Sequence, residues 1–275
     1  MSELPVHWII ENIVKEPSFL ELSEAVARAQ HPLLNLRGDF ANEMLNPYVR
    51  KCVVFNGSIQ MCKFVYLILL HNCCAPILYS SWQNFRCSAW YPFVSDLLFN
   101  DDYVMVPFSE VNRRAHWFYG TFAKEAMIFI RPDSGDKTFK GGPVDEQDFA
   151  RFYDQFESER DEMVIVSSPK NIRGEWRFVV TSEKEIVAQS SYRSQGLSTL
   201  VPSAPCGATK RCQEILVRLE GHYPDKVFCI DIAEDGDGNF WLLELTSFSA
   251  AGLYACNKDA IVRAVSEHAR RDFAK

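Results

Sequence analysis

The 275-residue chain has no long apolar run, no basic excess and no cysteine framework. Its longest strongly apolar stretch, FVYLILL at 64–70, is far too short to cross a bilayer as a helix. A formal net charge of −7 argues against general binding to phosphate backbones, which needs clustered Lys and Arg, although a local basic pocket stays open. The nine cysteines are odd in number, include the adjacent Cys73 and Cys74, and form no CxxC pair. Such usage suits a reducing cytosol better than a disulfide-stapled secreted domain. The N-terminal MSELPVHWIIENIVKEP places acid before a short apolar run and lacks the basic start of a signal peptide. Repeats and low-complexity linkers are also missing. With 47% apolar and 24% charged residues, the expectation is a cytoplasmic globular protein with neither a membrane nor a nucleic acid as its general partner.

What is present falls into two patterns. In the first third, short apolar runs (HWII, LLNL, VVFNG, ILYS) alternate with helical stretches, which predicts an α/β layer. One such stretch, SFLELSEAVARAQ, offers Ser18 and Glu21 as a capping box, with Phe19, Leu22, Val26 and Ala29 on one face. Segment 58–72 reads as a second helix. After about residue 110 the pattern changes to EAMIFI, a helical stretch around 145–158, and the strand-like runs EMVIVS, EWRFVV, EIVAQSSY and KVFCID. Helices are expected at 208–220 and 257–273, the latter capped by Asn257 with Ile261, Ala264, Val265 and His268 facing the core. This predicts an N-terminal α/β domain over 1–110 and a second, α+β domain over 111–275.

The stretch IDIAEDGDGNFWLLELTSF, 230–248, puts Asp231 and Glu244 inside two apolar strands. A two-residue turn at Asp237 and Gly238 would oppose Asp231 to Glu244 and turn Ile230, Ile232, Leu243 and Leu245 to the other face. Opposed carboxylates about 5 Å apart repel unless positive charge lies between them, and a hard divalent cation is a natural candidate. A solvent-facing sheet side would need no partner. A turn at Asp235 and Gly236 would instead oppose Asp231 to Phe240. DGDGN is not an EF-hand loop, because Phe240 and Thr246 stand where that loop needs its glycine and its bidentate acid.

Upstream, IFIRPDSGDKTFKGG sets Arg131, Lys137 and Lys140 among Gly135, Gly141 and Gly142. Backbone amides freed by glycine, together with Arg and Lys, suit a polyphosphate, though a surface turn with solvated charges has the same composition. The spacing is not that of a Walker A loop. In GEWRFVV, Glu175 and Arg177 share one strand face while Trp176 and Phe178 take the other. Tyr192 and Arg193 follow the next strand, where Arg193 could guide an anionic substrate or sit on a rim.

In order, IRPDSGDKTFKGG, VIVSSPKNIRGEWRFVV, VAQSSYR and CIDIAEDGDGNFWLLELTSFSAAGLY resemble the ATP-grasp superfamily, specifically a bacterial and phage clade with arginine in place of a nucleotide-binding lysine. VVFNGSI and YPFVSDLL weakly resemble that clade's N-terminal domain. The resemblance implies two α+β lobes holding ATP between them, preceded by a Rossmann-like domain. It further implies an ATP- and Mg²⁺-dependent ligase that phosphorylates a carboxylate and lets an amine or other nucleophile displace phosphate. The acceptor would be a small molecule, a peptide or a protein. In that scheme Arg131, Lys137 and Lys140 meet phosphates, Val166, Ser167 and Ser168 offer backbone groups to adenine, and Glu175 borders the nucleotide. Arg177 and Arg193 serve the reacting groups, and Asp231, Glu244 and Thr246 hold Mg²⁺. Thr246 departs from the family, which commonly has Asn there. A protein that binds ATP but has lost ligation is therefore the alternative.

Overall fold

A computed structural model describes residues 4–12, 17–37, 42–72, 82–194 and 200–274. Val6–Glu11 (β1), Pro17–Arg28 (α1), Leu33–Leu36 (β2), Cys52–Asn56 (β3) and Ile59–Asn72 (α2) build a parallel sheet in the order β2-β1-β3. Strand β1 reads as a nearly unbroken apolar run because it is covered on both faces. Val6, Trp8 and Ile10 pack towards α1, while Ile9 packs towards α2. Ser18 is not a cap: α1 already starts at Pro17, whose missing N–H costs nothing in a first turn, and Ser18 is buried inside the helix. Glu21 pairs with Lys258 at 3.0 Å instead, and Ala29 lies exposed beyond the helix end. The ILYS run falls outside the described residues.

Beyond the short helix Cys87–Trp90 (α3), the chain forms a small antiparallel lobe. Val104–Pro107 (β4), Met127–Pro132 (β5), Gly142–Asp145 (β6) and Met163–Ser167 (β7) pair in the order β4-β7-β5-β6. Phe108–Arg113 (α4), Ala115–Phe122 (α5) and Phe149–Asp154 (α6) supply its core, where Phe108, Phe118, Phe139, Phe149 and Tyr153 bury their rings. Much of the chain's aromatic content is spent here. Helix α6 is shorter than the pattern over 145–158 suggests, because β6 runs to Asp145 and a turn over 146–148 follows it. Pro143 is tolerated in β6 because that strand is an edge.

The large lobe consists of Gly174–Thr181 (β8), Ile186–Ser194 (β9), Cys206–Arg218 (α7), Val227–Glu234 (β10), Phe240–Ser247 (β11) and Lys258–Phe273 (α8). Its sheet runs β11-β10-β8-β9. Phe178, Ile230, Ile232, Leu242 and Leu245 face α7, joined by Tyr91, Val94, Leu97 and Leu98 from the connecting segment. At one end of the opposite face, Val179, Val227 and Cys229 share a core with β1, α1 and α8. The indole of Trp8 donates to Ser266 of α8 at 3.0 Å, tying the first strand to the last helix. The remainder of that face opens towards the small lobe. In the segments that connect the lobes, Phe99 N donates to Leu242 O at 2.9 Å, and Lys170 pairs with Asp101 and Asp102 at 2.8 and 2.9 Å. No helix among the described residues is long and apolar enough to cross a membrane.

Helix α8 is capped as its sequence predicts, with Asn257 Oδ1 accepting from Ala260 N at 3.0 Å and Ile261, Ala264, Val265 and His268 buried. Asn257→Ala should lower global stability by about 1 kcal/mol in urea unfolding. An unchanged midpoint would show that packing alone holds the helix.

Candidate functional site

The charged face of the large-lobe sheet is built by register. Glu244 opposes Asp231, Asp231 opposes Arg177, and Arg177 opposes Ser190, so four strands place these residues in one row. The turn is not the two-residue one. Ladder pairing ends at Glu234 and Phe240, and the intervening loop is folded around Asp235, whose carboxylate accepts from Asp237 N, Asn239 N and the Trp241 indole at 2.9, 2.8 and 2.8 Å. An irregularity between Asp231 and Ile232 then restores the Asp231–Glu244 opposition. Its consequence is that Leu242, not Leu243, joins Leu245 in the core, and Leu243 turns to the cleft.

Arg177 is buried and grips Asp231 with two bonds, Nε to Oδ1 at 2.8 Å and Nη2 to Oδ2 at 2.6 Å. A third bond runs from Nη1 to Gly252 O at 2.8 Å. The guanidinium carbon lies 5.0 Å from the Tyr254 ring and 5.7 Å from Tyr192, two rings that stack on each other at 4.7 Å. Burial by itself pulls the Arg177 pKa down, but the Asp231 charge more than offsets this and holds the side chain cationic. Arg193 sits at the rim, half exposed, and bonds the buried Glu175 at 3.2 Å.

The facing wall comes from β5 and the loop after it. Strand alternation sends Ile128 and Ile130 into the small-lobe core and turns Phe129 and Arg131 to the cleft. Gly141 is required here: a Cβ at this position would lie 2.7 Å from that of Arg131. The loop is fastened at several points. Asp133 accepts from Ser88 N and Oγ at 2.7 and 2.8 Å, Asp136 pairs with Lys63 of α2 at 2.8 Å, and Phe139 is buried. Lys137, between these anchors, adopts a left-handed backbone with φ of 51°.

Across the cleft, Arg131 Nη2 donates to Glu244 Oε1 at 2.9 Å and Lys137 Nζ to Glu244 Oε2 at 3.2 Å. The cleft spans about 440 Å³ and has apolar walls from Phe129, Phe139, Ile172 and Leu243, with Lys140, Glu175 and Tyr192 on its edges. Arg131, Lys137, Lys140, Glu175 and Glu244 are thus brought together. Val166 is not: it is fully buried, with ladder partners Val104 and Ile130 on its two sides. Ser167 and Ser168 follow at the strand end and are not among the residues lining this cleft; Ser168 is held by Asp102. Of the apolar walls, Phe129 was legible from its period-two spacing to Arg131, whereas Ile172 carries no sequence signal.

The oxygen donors suit a hard cation. Thr246 shares the Glu244 face two residues on, and its buried hydroxyl has no hydrogen-bond partner among the described residues. A carboxylate gripped by arginine retains further lone pairs, so Asp231 can still contribute. Two carboxylates and a hydroxyl match the sparse protein ligation typical of Mg²⁺, whose remaining positions go to water and phosphate. Among the described residues no cluster of three His, Cys, Asp or Glu forms a self-sufficient cage.

Burial would raise the Glu244 pKa, but Lys137, Arg131 and Arg177 outweigh it and pull the value down to about 2. A depressed carboxylate stabilises the fold fully above its unfolded pKa near 4.5, and the contribution is lost as pH falls towards 2. Urea unfolding of wild type and Glu244→Gln should therefore differ by at most on the order of 3 kcal/mol at pH 7, and this gap should narrow progressively from pH 5 to 3. A gap independent of pH would contradict the ion pair.

A family model for the ATP-grasp domain, the second family of its clade, matches residues 109–264. No curated protein sequence matches the chain. Among solved structures, the D-cycloserine synthetase DcsG aligns with a TM-score of 0.64 at 12% identity, covering 97% of this chain and 99% of that one. D-alanine-D-alanine ligase from Bacillus anthracis complexed with ATP gives 0.62 at 11% identity, covering 100% and 99%. The ATP-grasp ligase PsnB, complexed with precursor peptide PsnA2 and AMPPNP, gives 0.54 at 12% identity, covering 98% and 99%. At such identities these structures share a fold with this chain, whereas the family model spans more than half of it. The chain therefore belongs to the ATP-grasp family.

Proposed function

We propose that the protein is an ATP-dependent ligase joining a carboxylate to an amine or similar nucleophile, with residues 111–275 as its ATP-grasp domain and 1–110 as an N-terminal α/β domain. One observation carries the reading: Arg131 and Lys137 on one lobe and Glu244, opposed to Asp231, on the other converge on a single cleft. Cations facing oxygen donors across a cleft are what a metal-loaded polyphosphate needs from a protein.

In this reading Arg131, in the place of a nucleotide-binding lysine, and Lys137 neutralise phosphate oxygens, with the exposed Lys140 beside them. The apolar walls of Phe129, Ile172 and Leu243 suit a purine. Asp231, Glu244 and Thr246 would hold Mg²⁺, which would supply positive charge to offset that of the phosphates during phosphoryl transfer. Arg177, fixed by Asp231 and Gly252, is a preorganised cation in the same strand row as Glu244. The acceptor carboxylate takes the γ-phosphoryl group with departure of ADP. The nucleophile then attacks the acyl carbon and phosphate leaves. Tyr192 and Arg193 lie on the side where an acceptor would enter. Structural neighbours complexed with precursor peptides, PsnB and MdnC, favour trying peptides as well as small amino acids. We place the reaction in the cytoplasm.

A second reading is favoured by Thr246: a hydroxyl is a poorer Mg²⁺ ligand than the amide carbonyl common in the family, so the protein binds ATP without ligating. The two separate in an ADP-release screen with Mg-ATP over amino acids, peptides, polyamines and protein acceptors. A ligase releases ADP with one acceptor, which gains mass. Glu244→Gln should then reduce turnover by roughly a hundredfold or more. Thermal stabilisation by Mg-ATP with no acceptor-dependent ADP supports the second reading, and no nucleotide effect at all refutes both.

A further inference from the structure

In this structure the groups assigned to phosphate and the group assigned to metal are bonded to each other. Both oxygens of Glu244 are taken, one by Arg131 and one by Lys137, and the Glu244 side chain is only 18% exposed. Its neighbour in the row, Asp231, has both oxygens on Arg177. Cys87 and Tyr91 lie close to Arg131, but burial raises both their pKa values, the thiol to about 11, so neither offers Arg131 an anion at neutral pH. Glu244 is thus the carboxylate that occupies both cations.

A metal-free triphosphate reaching this cleft must take Arg131 and Lys137 away from Glu244. It then leaves a largely buried carboxylate without its cations, next to several phosphate oxygens of the same sign, which is a costly arrangement for a charge with little access to solvent. A triphosphate carrying a divalent cation faces no such cost, because the cation takes over Glu244 as the two side chains move to phosphate. We propose that Glu244 acts as a gate that rejects metal-free nucleotide, so that the site selects the metal complex at the binding step and not only in chemistry. The proposal rests on the nucleotide reading of the cleft and adds a specificity role to Glu244 that its service as a metal ligand does not require.

The two roles predict different outcomes for metal-free ATP. If Glu244 is only a ligand, removing its charge weakens Mg-ATP binding and leaves ATP in excess EDTA unaffected. If it is a gate, Glu244→Gln frees Arg131 and Lys137 and tightens binding of ATP in EDTA. Titration calorimetry on the full-length protein should show wild type binding Mg-ATP at least about tenfold more tightly than ATP in EDTA. Glu244→Gln should bind ATP in EDTA at least about tenfold more tightly than wild type does. Equal metal-free affinities in the two proteins overturn the gate while leaving the nucleotide site standing. Failure of wild type to bind either form removes the nucleotide reading and the gate with it. A companion measurement needs no variant: wild type should prefer magnesium tripolyphosphate over tripolyphosphate in EDTA by a similar factor. Equal affinity for the two overturns the proposal even where Glu244→Gln does not fold.

Discussion

Three charges meet across the interlobe cleft: the Glu244 carboxylate from the large-lobe sheet, and Arg131 and Lys137 from β5 and the loop behind it. Much of the local architecture serves to bring them within bonding distance. Gly141 lets the backbone pass the base of Arg131, Asp133 and Asp136 fasten the loop at two points, and Lys137 takes a left-handed conformation between those anchors. On the other side, the irregularity at Asp231 and Ile232 sets Glu244 into the row that continues through Asp231 to Arg177.

That row explains how a sheet can carry charge through its middle. Each acid has its cation, and the apolar side chains alternate to the opposite face, where α7 covers them. The far end of the charged face closes against β1, α1 and α8, so the N-terminal sheet forms a wall of the same molecule through a shared core. Stacked Tyr192 and Tyr254 beside Arg177 mark the transition from packed core to open cleft. The Arg177 guanidinium beside them is fixed by Asp231 and Gly252.

Much of this was legible in the sequence, for identifiable reasons. Long amphipathic or uniformly apolar runs such as β8, β10 and α8 announce themselves through periodicity, and the cap at Asn257 through chemistry. The opposition of Asp231 to Glu244 follows in the sequence from a turn of the wrong kind: a longer loop and a compensating bulge return the same pair, but they exchange Leu242 for Leu243 in the core. Ser18 misleads because a favourable pair at the right spacing does not show where a helix begins, and Pro17 starts this one. What sequence could not supply was the partner of each charge. Nothing in the string links Glu244 to Lys137, or Glu21 to Lys258; these are products of tertiary closure. The same holds for the cleft's apolar walls, where Ile172 sits in a connector without any period.

The proposal that nucleotide and metal take over the partners of this charge triad is tested most directly by a crystal structure of the protein with Mg²⁺ and a non-hydrolysable ATP analogue. The expected result is that both ion pairs of Glu244 are broken, its carboxylate is on the metal, and Arg131 and Lys137 are on phosphate oxygens. A nucleotide bound with the Arg131–Glu244 and Lys137–Glu244 pairs intact would contradict it.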